Sequence, residues 1–361
     1  MRGAWRDTAP PLTSDATVSL DAQTRLAAPD VAPLTWKRLS ESPGSLPDSM
    51  AASLQAAYRY SELQAHMQSM AIRHVAACLA DAGIDALLFK GFAMASRGYA
   101  SPGLRPAGDI DIAVDENDYA DAAHVLGKIC HGTPNGLDAP GKDQALLSLD
   151  SPLPALLGQI DLHRGIDCYG SAPFAELVER SIAVATEDGS PARTLGDEDH
   201  LRLLCLHFLK HGGWKPVWLC DVAAMLETVR DDFLPSLCHE GNPLTRRKIE
   251  VVCSLAVDIL GARPRSAAQI FARDPAPEWM RRSVLKQWGR PAGLHRSRLA
   301  FRKSITRRPG WLLSDIAARW PDPVSAADWA GGRFDGWGVR LFQIAKFSRM
   351  AFDFVGRGGR I

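Results

Sequence analysis

Residues 87–91 read LLFKG and residues 109–111 read DID, with apolar residues on both sides of the second stretch. The first pattern is typical of a strand that ends in a phosphate-binding turn, and the second is typical of a strand that carries two carboxylates. Because side chains two apart in a strand lie on one face at roughly 7 Å, Asp109 and Asp111 point the same way while Ile110 faces a core. This pair predicts a binding site for a divalent metal ion.

The bulk composition narrows the setting of the protein without selecting an activity. A chain of 361 residues can bury a sizeable core and form two domains, and its net charge of +1 requires neither a nucleic-acid nor a membrane partner. The seven cysteines are never closer than fifteen residues and form no CxxC pair, which favours reduced thiols over a disulfide or zinc framework. No apolar run reaches the roughly 18 residues of a membrane span, and the first residues lack an apolar signal core. We therefore expect a cytoplasmic protein without a membrane partner.

Helical and extended patterns alternate through the first half of the chain. Residues 1–30 are rich in Ala, Thr, Ser, Asp and Pro without sustained periodicity, which predicts a flexible tail. Further along, Leu63, Met67 and Met70 recur at helical spacing. The predicted elements, in order, are a helix over residues 47–82, a strand over 84–89, a helix over 92–99, the DID strand and a helix over 117–129.

A further acidic strand is predicted after a loop. Residues 131–144 form a Gly, Pro and Asn-containing loop, after which two apolar runs over 145–149 and 155–162 predict a hairpin. Its second strand includes the sequence QIDLH, so that Asp161 and His163 share a face. A third acidic residue thus lies in a strand otherwise suited to a core.

Beyond residue 190 the pattern is helical. Thr194 and Asp197 are candidate caps for a helix that runs through His211. A second helix over residues 217–229 and further helices to the C-terminus follow. The change of character predicts a domain boundary near residues 185–195.

The region from residue 281 to residue 314 is strongly basic. It contains ten Lys or Arg residues and no Asp or Glu, interleaved with Trp288, Phe301 and Trp311. The pattern fits a solvated helical face, and it also fits a surface for a polyanion or an acidic partner. The sequence leaves both interpretations open.

The three carboxylates match what nucleotidyl transfer requires. Two Mg²⁺ ions about 3.5 to 4 Å apart must bridge the triphosphate and the attacking oxygen, and paired carboxylates can hold both ions. Asp109 and Asp111 would be the shared ligands. Asp161 would complete the shell of the second ion and help to deprotonate the acceptor hydroxyl.

The turn before the first helix of this unit supplies the phosphate side of the same chemistry. Gly91 lets backbone N–H groups approach the phosphates at a helix N-terminus, where the helix dipole favours negative charge. Lys90 and Arg105 would add positive charge at the β- and γ-phosphates.

Four motifs occur in a fixed order along the chain. They are Lys-Gly at residues 90–91 with an Arg shortly before Asp-x-Asp, then Ile-Asp-Leu-His at 160–163, then LLCLHFLKH at 203–211 with Trp218 and Asp221 downstream. In this order they resemble a family of uncharacterised bacterial nucleotidyltransferases within the DNA polymerase β-like superfamily. The resemblance covers roughly residues 30 to 230.

The resemblance implies an α+β fold. A small mixed β-sheet with flanking helices would form the nucleotidyltransferase core, joined to a C-terminal α-helical domain that helps to hold the nucleotide or acceptor. We accordingly predict a flexible N-terminal tail over residues 1–30, a catalytic domain over 31–190 and a helical domain over 191–361 that includes the basic C-terminal segment.

The resemblance also implies roles for site residues and leaves the acceptor open. It implies Asp109, Asp111 and Asp161 as metal ligands. In the wider superfamily the turn glycine is usually followed by Ser or Gly, whereas this chain has Phe92, and Lys90 would then supply charge in place of a hydroxyl. Members are largely uncharacterised as to acceptor, so the resemblance implies a reaction type and not a substrate.

The histidines admit more than one interpretation. His163 either contacts the acceptor or a phosphate, or it is a satisfied histidine beside the strand. His207 and His211 have the i, i+4 spacing of a zinc pair, but the helix face favours either nucleotide contact, with Lys210 or His211 at the phosphates, or a structural role. Asp221 would orient one of these histidines or cap a helix.

The sequence therefore predicts a Mg²⁺-dependent, nucleotide-binding transferase. It would move a nucleoside monophosphate, by default AMP from ATP, to an acceptor hydroxyl or phosphate and release pyrophosphate. The acceptor would be a small molecule, a peptide or protein, or RNA. The alternatives are a catalytically inactive nucleotide-binding module that acts through a partner, and a kinase-like phosphotransferase that uses the same metals.

Overall fold

A computed structural model describes most of the chain up to residue 288. The described residues are 3–8, 30–41, 47–135, 144–149, 158–166, 172–184, 192–238 and 243–288. They form an α+β fold with one mixed β-sheet and helices on both of its faces. The basic segment predicted over residues 281–314 lies mostly outside this range.

The helices and strands follow one another in a largely alternating order through the first half. The helices are α1 (Ala32–Ser40), α2 (Asp48–Asp81), α3 (Gly91–Gly98), α4 (Tyr119–Gly127), α5 (Phe174–Glu179), α6 (Asp197–Lys210), α7 (Pro216–Thr228), α8 (Pro235–Cys238), α9 (Pro243–Leu260) and α10 (Glu278–Trp288). The strands are β1 (Ala86–Phe89), β2 (Asp109–Val114), β3 (Cys130–Asn135), β4 (Gln144–Leu149), β5 (Gln159–Arg164), β6 (Ile182–Ala183) and β7 (Arg193–Thr194). Short 3₁₀ helices cover Pro102–Leu104 and Ser266–Ala272.

The sheet places the two acidic strands next to each other. Its strand order is β3-β4-β5-β2-β1-β7-β6, with β2 antiparallel to β1 and parallel to β5. The predicted hairpin pairing of β4 with β5 is antiparallel, as expected, although β5 runs from residue 159 to residue 164. In the parallel register of β2 and β5, Asp111 lies directly opposite Asp161.

The alternation of side chains along the central strands divides the core into two clusters. On one face, Ile110, Ile112 and Ile160 pack against residues of α2 and α4. On the other face, Phe89 and Ala113 pack in a larger cluster that includes residues of α6, α7 and α9. Because Asp109 and Asp111 alternate with the isoleucines, the carboxylates lie on the α6 and α7 side of the sheet.

Helix α2 confirms the predicted helix, but its buried face differs from the residues that predicted it. Leu63 and Met70 are 49% and 47% exposed, respectively. The buried face instead includes Ile72 and also the polar Gln68, whose side-chain amide donates a hydrogen bond of 2.9 Å to the carbonyl of Ala107. A buried polar group with a partner costs little, so apolar periodicity alone does not identify this face.

Strand β3 corrects the loop predicted over residues 131–144. Residues 130–135 pair with β4, with a register shift between residues 131 and 135. Among the described strands, β3 lies at the end of the sheet order and pairs with β4 alone, so a proline such as Pro134 and an irregular ladder are tolerated there. A Gly and Pro-containing edge strand is therefore easily taken for a loop.

Part of the predicted N-terminal tail is packed against the fold. Trp5 is only 2% exposed, and its indole N–H donates a hydrogen bond of 3.0 Å to Glu227 at the end of α7. The Arg6 side chain donates to the same carboxylate at 2.8 Å, and the Trp5 carbonyl accepts a bond from Ala100 N–H. For residues 3–8 the prediction of a flexible tail is thus wrong, because one aromatic anchor suffices to fix them.

Described residues on both sides of the predicted boundary at residue 190 share one sheet and one core. Strand β7 lies beyond that boundary but pairs in parallel with β1. Phe89 and Ala113 from before the boundary share one hydrophobic cluster with Leu204 and Leu219 from beyond it. The predicted division into a catalytic and a helical domain therefore does not coincide with a division of the core.

The described part of the chain contains no helix that is both long and apolar enough to cross a membrane. Six of the seven cysteines lie within it, and each is a free thiol. The sulfurs of Cys205 and Cys253 lie 3.8 Å apart.

Candidate metal and nucleotide site

Two carboxylates and an imidazole meet on the face of the sheet that is turned toward α6. The ligand atoms of Asp111, Asp161 and His163 all lie within 4.8 Å of one another. His163 Nε2 is 3.2 Å from Asp111 Oδ1 and 3.1 Å from Asp161 Oδ2. The pleat explains the grouping, since Asp161 is opposite Asp111 and His163 is two residues further along the same face.

One carboxylate oxygen in this group lacks any partner. Asp161 Oδ1 is buried and accepts no hydrogen bond from the residues that the structure describes. A buried carboxylate oxygen without a donor is costly unless a cation or another donor meets it. The three side chains therefore suit a bound divalent ion, with two oxygen donors and one nitrogen donor of the kind that such ions accept.

The charges of the group are strongly coupled. Burial acts to raise the pKa of Asp111, but the Lys90 ammonium and the hydrogen bond to His163 outweigh it and lower that pKa to about 2. For His163, burial acts to lower the pKa, yet hydrogen bonds to Asp111 and Asp161 raise it overall. Without a metal, His163 and Lys90 are thus the cations that balance these carboxylates.

Asp109 lies beside this group and not within it. Its ligand atoms are not among those that fall within 4.8 Å of one another. Although Asp109 reaches solvent at the start of β2, the protein atoms around it and then the Asp111 carboxylate raise its pKa. The sequence placed Asp109 and Asp111 together as shared metal ligands; that role of Asp109 stays a prediction.

The predicted phosphate turn joins β1 to α3, next to the carboxylates. Lys90 Nζ lies 2.7 Å from Asp111 Oδ1 and 4.7 Å from the centre of the Phe89 ring. Gly91 is the first residue of α3, and a Cβ there would come within 3.1 Å of Ala107 Cβ. Glycine is therefore favoured at position 91, where the start of α3 passes close to Ala107.

Arg105 pairs with a carboxylate outside this group, that of Asp221. Its Nε and Nη2 donate to the two carboxylate oxygens of Asp221 at 3.0 and 2.7 Å, and its Nη1 donates to the Pro106 carbonyl. The Tyr99 hydroxyl donates to Asp221 as well, at 2.7 Å. Despite burial, the Asp221 carboxylate raises the pKa of Arg105 above its usual value.

These contacts bear on the roles that the sequence predicted for Arg105 and Asp221. All three guanidinium nitrogens of Arg105 already donate within the protein, so its predicted phosphate contact stays a prediction that this pairing disfavours. Asp221 was expected to orient a histidine or cap a helix. It is instead a buried acceptor within α7 that binds Arg105 and Tyr99.

The end of α6 contributes aromatic rings near the carboxylates. The ring of His207 lies 4.5 Å from that of His211 and 4.8 Å from that of Trp218. Burial and then the Lys90 charge hold the pKa of His207 well below its usual range. Lys210, predicted to meet phosphates, is exposed at the last position of α6.

No third metal ligand joins His207 and His211. Among the described residues, the one group of three potential ligands is that of Asp111, Asp161 and His163. The described contacts of His207 and His211 are with each other's rings and with the ring of Trp218.

Sequence reasoning missed His200 and misplaced the caps of α6. His200 Nε2 accepts a hydrogen bond from the backbone N–H of Lys90. The residue that precedes the helix is Gly196. Of the two predicted caps, Thr194 donates to the Leu88 carbonyl and Asp197 pairs with Arg97. A signal for His200 existed, since residues 200, 207 and 211 recur on one face of α6.

Comparison with known proteins places the chain in a class. The family model described as an uncharacterised nucleotidyltransferase matches residues 21–257. Since this match covers more than half of the 361 residues, the chain belongs to that family of nucleotidyltransferases. No curated protein matches the chain. The expected resemblance is thereby confirmed, and a nucleotide is the substrate that the class implies.

Proposed function

We propose that this protein is a divalent-metal-dependent nucleotidyltransferase of the two-metal kind. It transfers a nucleoside monophosphate from a nucleoside triphosphate to an acceptor hydroxyl or phosphate and releases pyrophosphate. The observation that carries the proposal is the opposed pair Asp111 and Asp161 with His163, in which one buried oxygen still lacks a partner. Membership of a nucleotidyltransferase family supports the same reaction type.

The ligand set assigns distinct roles to the acidic residues. Asp111, Asp161 and His163 would hold one ion, and Asp109 with Asp111 would hold a second ion together with the nucleotide. When bound, Mg²⁺ or a similar ion supplies positive charge to the phosphates and the attacking oxygen. Because its pKa is lowered to about 2, Asp111 is ionised at neutral pH and ready to ligate.

The protein's own groups orient the triphosphate and the acceptor. Lys90 Nζ and the N-terminus of α3 at Gly91 lie beside the carboxylates and offer positive charge to the phosphates. Asp161, through the oxygen that lacks a partner, is the candidate acceptor for the proton of the attacking hydroxyl. In-line transfer would then depend on positioning and charge more than on covalent catalysis.

The nucleoside of the triphosphate would bind beside the end of α6. His207, His211 and Trp218 form a half-buried group of rings, and the charge of Lys90 acts on His207. Flat rings of this kind stack on bases with little sequence preference, which leaves ATP as the donor by abundance alone. The cytoplasmic location predicted from the sequence stays a prediction.

Labelled nucleotides separate the proposed activity from its alternatives. The protein is incubated with α-labelled and, separately, γ-labelled ATP, with Mg²⁺ or Mn²⁺ and candidate acceptors. Label retained in product from the α position supports nucleotidyl transfer, and label retained only from the γ position supports a kinase-like phosphotransferase. Binding of nucleotide without any labelled product supports a binding module that acts through a partner.

Asparagine variants test the site directly. Asp111→Asn and Asp161→Asn are expected to lower kcat/KM at least about 10³-fold, or about 4 kcal/mol, because each removes a charged ligand. Asp85→Asn, an exposed carboxylate just before β1, is the matched control and should leave the rate unchanged. Near wild-type turnover of either site variant, with its fold shown intact by circular dichroism, would rule out the assignment.

A further inference from the structure

The turn between β1 and α3 contains the one described non-glycine residue with a positive φ. Lys90 has φ 57° and ψ −126°. A Cβ disfavours this region, so a residue other than glycine persists there only when the surrounding structure enforces it. Such outliers concentrate at sites where geometry is imposed for a purpose, so the groups that hold Lys90 are of interest.

A side chain from the opposite side of the core holds this turn. The Lys90 backbone N–H donates a hydrogen bond of 3.2 Å to His200 Nε2, from the first turn of α6. The chain on either side is also fixed, since Thr194 donates to the Leu88 carbonyl at 2.8 Å and Met94 N–H donates to the Lys90 carbonyl at 2.8 Å. Of these bonds, that of His200 is the one made by a side chain to Lys90 itself.

The state of His200 is defined by this bond and by its burial. Nε2 can accept a hydrogen bond only if it carries no proton, so the imidazole must be neutral with its proton on Nδ1. His200 is fully buried, and its Nδ1 has no hydrogen-bond partner among the described residues. Burial, and to a smaller degree the charge of Arg97, holds the pKa of His200 well below its usual range. A histidine with one unsatisfied nitrogen is an expensive core residue, which points to a role beyond packing.

We propose that His200 is a positioning residue for the nucleotide site. By accepting the Lys90 N–H it fixes the unusual turn that aims Lys90 Nζ at Asp111. His200 itself touches neither metal nor nucleotide and acts through Lys90. This inference rests on the proposed nucleotidyltransferase function.

The tautomer of His200 tests the hydrogen bond in the unaltered protein. With ¹⁵N-labelled histidine, we expect His200 to show the neutral Nδ1–H tautomer, assigned by loss of its signals in His200→Gln, and to keep it from pH 5.5 to 8. An Nε2–H tautomer or an imidazolium would overturn the proposal, because neither can accept the Lys90 N–H. This measurement needs no nucleotide and is independent of the proposed function.

Variants then test whether the bond matters for binding. The probe is an ATP analogue with a methylene between the α- and β-phosphorus, titrated with Mn²⁺ by calorimetry. His200→Leu removes the acceptor and should weaken binding about tenfold, or about 1.4 kcal/mol. His200→Gln, whose amide oxygen can accept the same N–H, should recover most of that loss. Leu204→Ala, one turn further along α6 in the same core, is the control for general destabilisation and should bind as the wild type does.

A double-mutant cycle separates positioning from mere support of the fold. In a Lys90→Met background, His200→Leu should cause no further loss of affinity, since the side chain that it positions is gone. Equal losses from His200→Leu and Leu204→Ala, or a loss that persists in the Lys90→Met background, would reduce His200 to a structural residue. If His200→Leu does not fold, the tautomer and the His200→Gln variant still decide. Failure of the wild type to bind the analogue would count against the proposed function and leave the tautomer result standing.

Discussion

Two ion pairs in this protein have the same closest distance and very different surroundings. Arg105 and Asp221 approach to 2.7 Å, and so do Lys90 and Asp111. The first pair is 7% and 0% exposed, shares two hydrogen bonds and includes the Tyr99 hydroxyl. The second is 20% and 5% exposed and consists of one contact from a flexible ammonium.

The difference shows that contact distance alone does not reveal what an ion pair does. The Arg105 fork ties the segment before β2 to α7, which fixes the helix against the sheet. The Lys90 ammonium is a point charge at the accessible edge of a group that suits a metal ion. On the proposed function, the first pair would stay intact and the second would exchange partners when metal and triphosphate bind.

Breaking the Arg105 pair is expected to have the largest effect on the fold. Arg105→Leu or Asp221→Leu alone should lower the free energy of unfolding by about 3–5 kcal/mol, because each leaves a buried charge unpaired. Urea denaturation followed by circular dichroism measures the loss. The double variant Arg105→Leu with Asp221→Leu should regain a substantial part of it, since no buried charge is left. A double variant as unstable as the sum of the single ones would contradict this account.

Removing the Lys90 charge should have a smaller effect, and it should strengthen the binding of metal. Lys90→Met is expected to raise the affinity for Mn²⁺ in the absence of nucleotide by about fivefold to tenfold, or about 1–1.4 kcal/mol, because the competing cation is gone. Calorimetric titration with Mn²⁺ provides the measurement. Lys128→Met, an exposed lysine just after α4, is the control and should change nothing. Weaker Mn²⁺ binding by Lys90→Met would show that Lys90 supports the site and does not compete for it.

The smallest expected effect is on the pH dependence of stability. His163, which contacts Asp111 of the Lys90 pair, should contribute to it, whereas the Arg105 pair should not. The pKa of His163 is raised in the folded protein, so its contribution is present below its unfolded pKa and is lost as pH rises through the higher folded value. In EDTA, the excess unfolding free energy of the wild type over His163→Gln should therefore fall as the pH rises above about 6.5, the ordinary value of a histidine. The double variant Arg105→Leu with Asp221→Leu leaves neither charge of the other pair in the core, so it should keep the wild-type slope over the same pH range. A constant difference between wild type and His163→Gln would exclude this coupling.

The strand-borne part of the site could be predicted from the sequence because strand geometry is local. Alternation alone put Asp109 with Asp111 on one face of their strand and Asp161 with His163 on one face of theirs, and the α+β class came from the family resemblance. The sheet register that opposes Asp111 to Asp161 is tertiary, and the sequence could only presume it.

The remaining contacts depend on which surfaces meet, and short-range patterns carry little of that information. Arg105 lies close in sequence to Asp109 and Asp111, yet its guanidinium forms an ion pair with Asp221, 116 residues away. His200 reaches Lys90 across 110 residues. The buried face of α2 could not be predicted from apolar spacing either, because it includes the polar Gln68, which donates a hydrogen bond to a backbone carbonyl.

The docked N-terminus has a practical consequence for anyone who shortens this protein. The family match begins at residue 21, and a chain trimmed to that point would lose Trp5 and Arg6. Glu227, which accepts hydrogen bonds from both, would then keep only its bond from the Arg263 N–H among those described, and the cavity left by the indole would open beside α7. The folded unit thus begins earlier than its recognisable family sequence, and expression trials that start at residue 21 would handicap the catalytic unit that they intend to isolate.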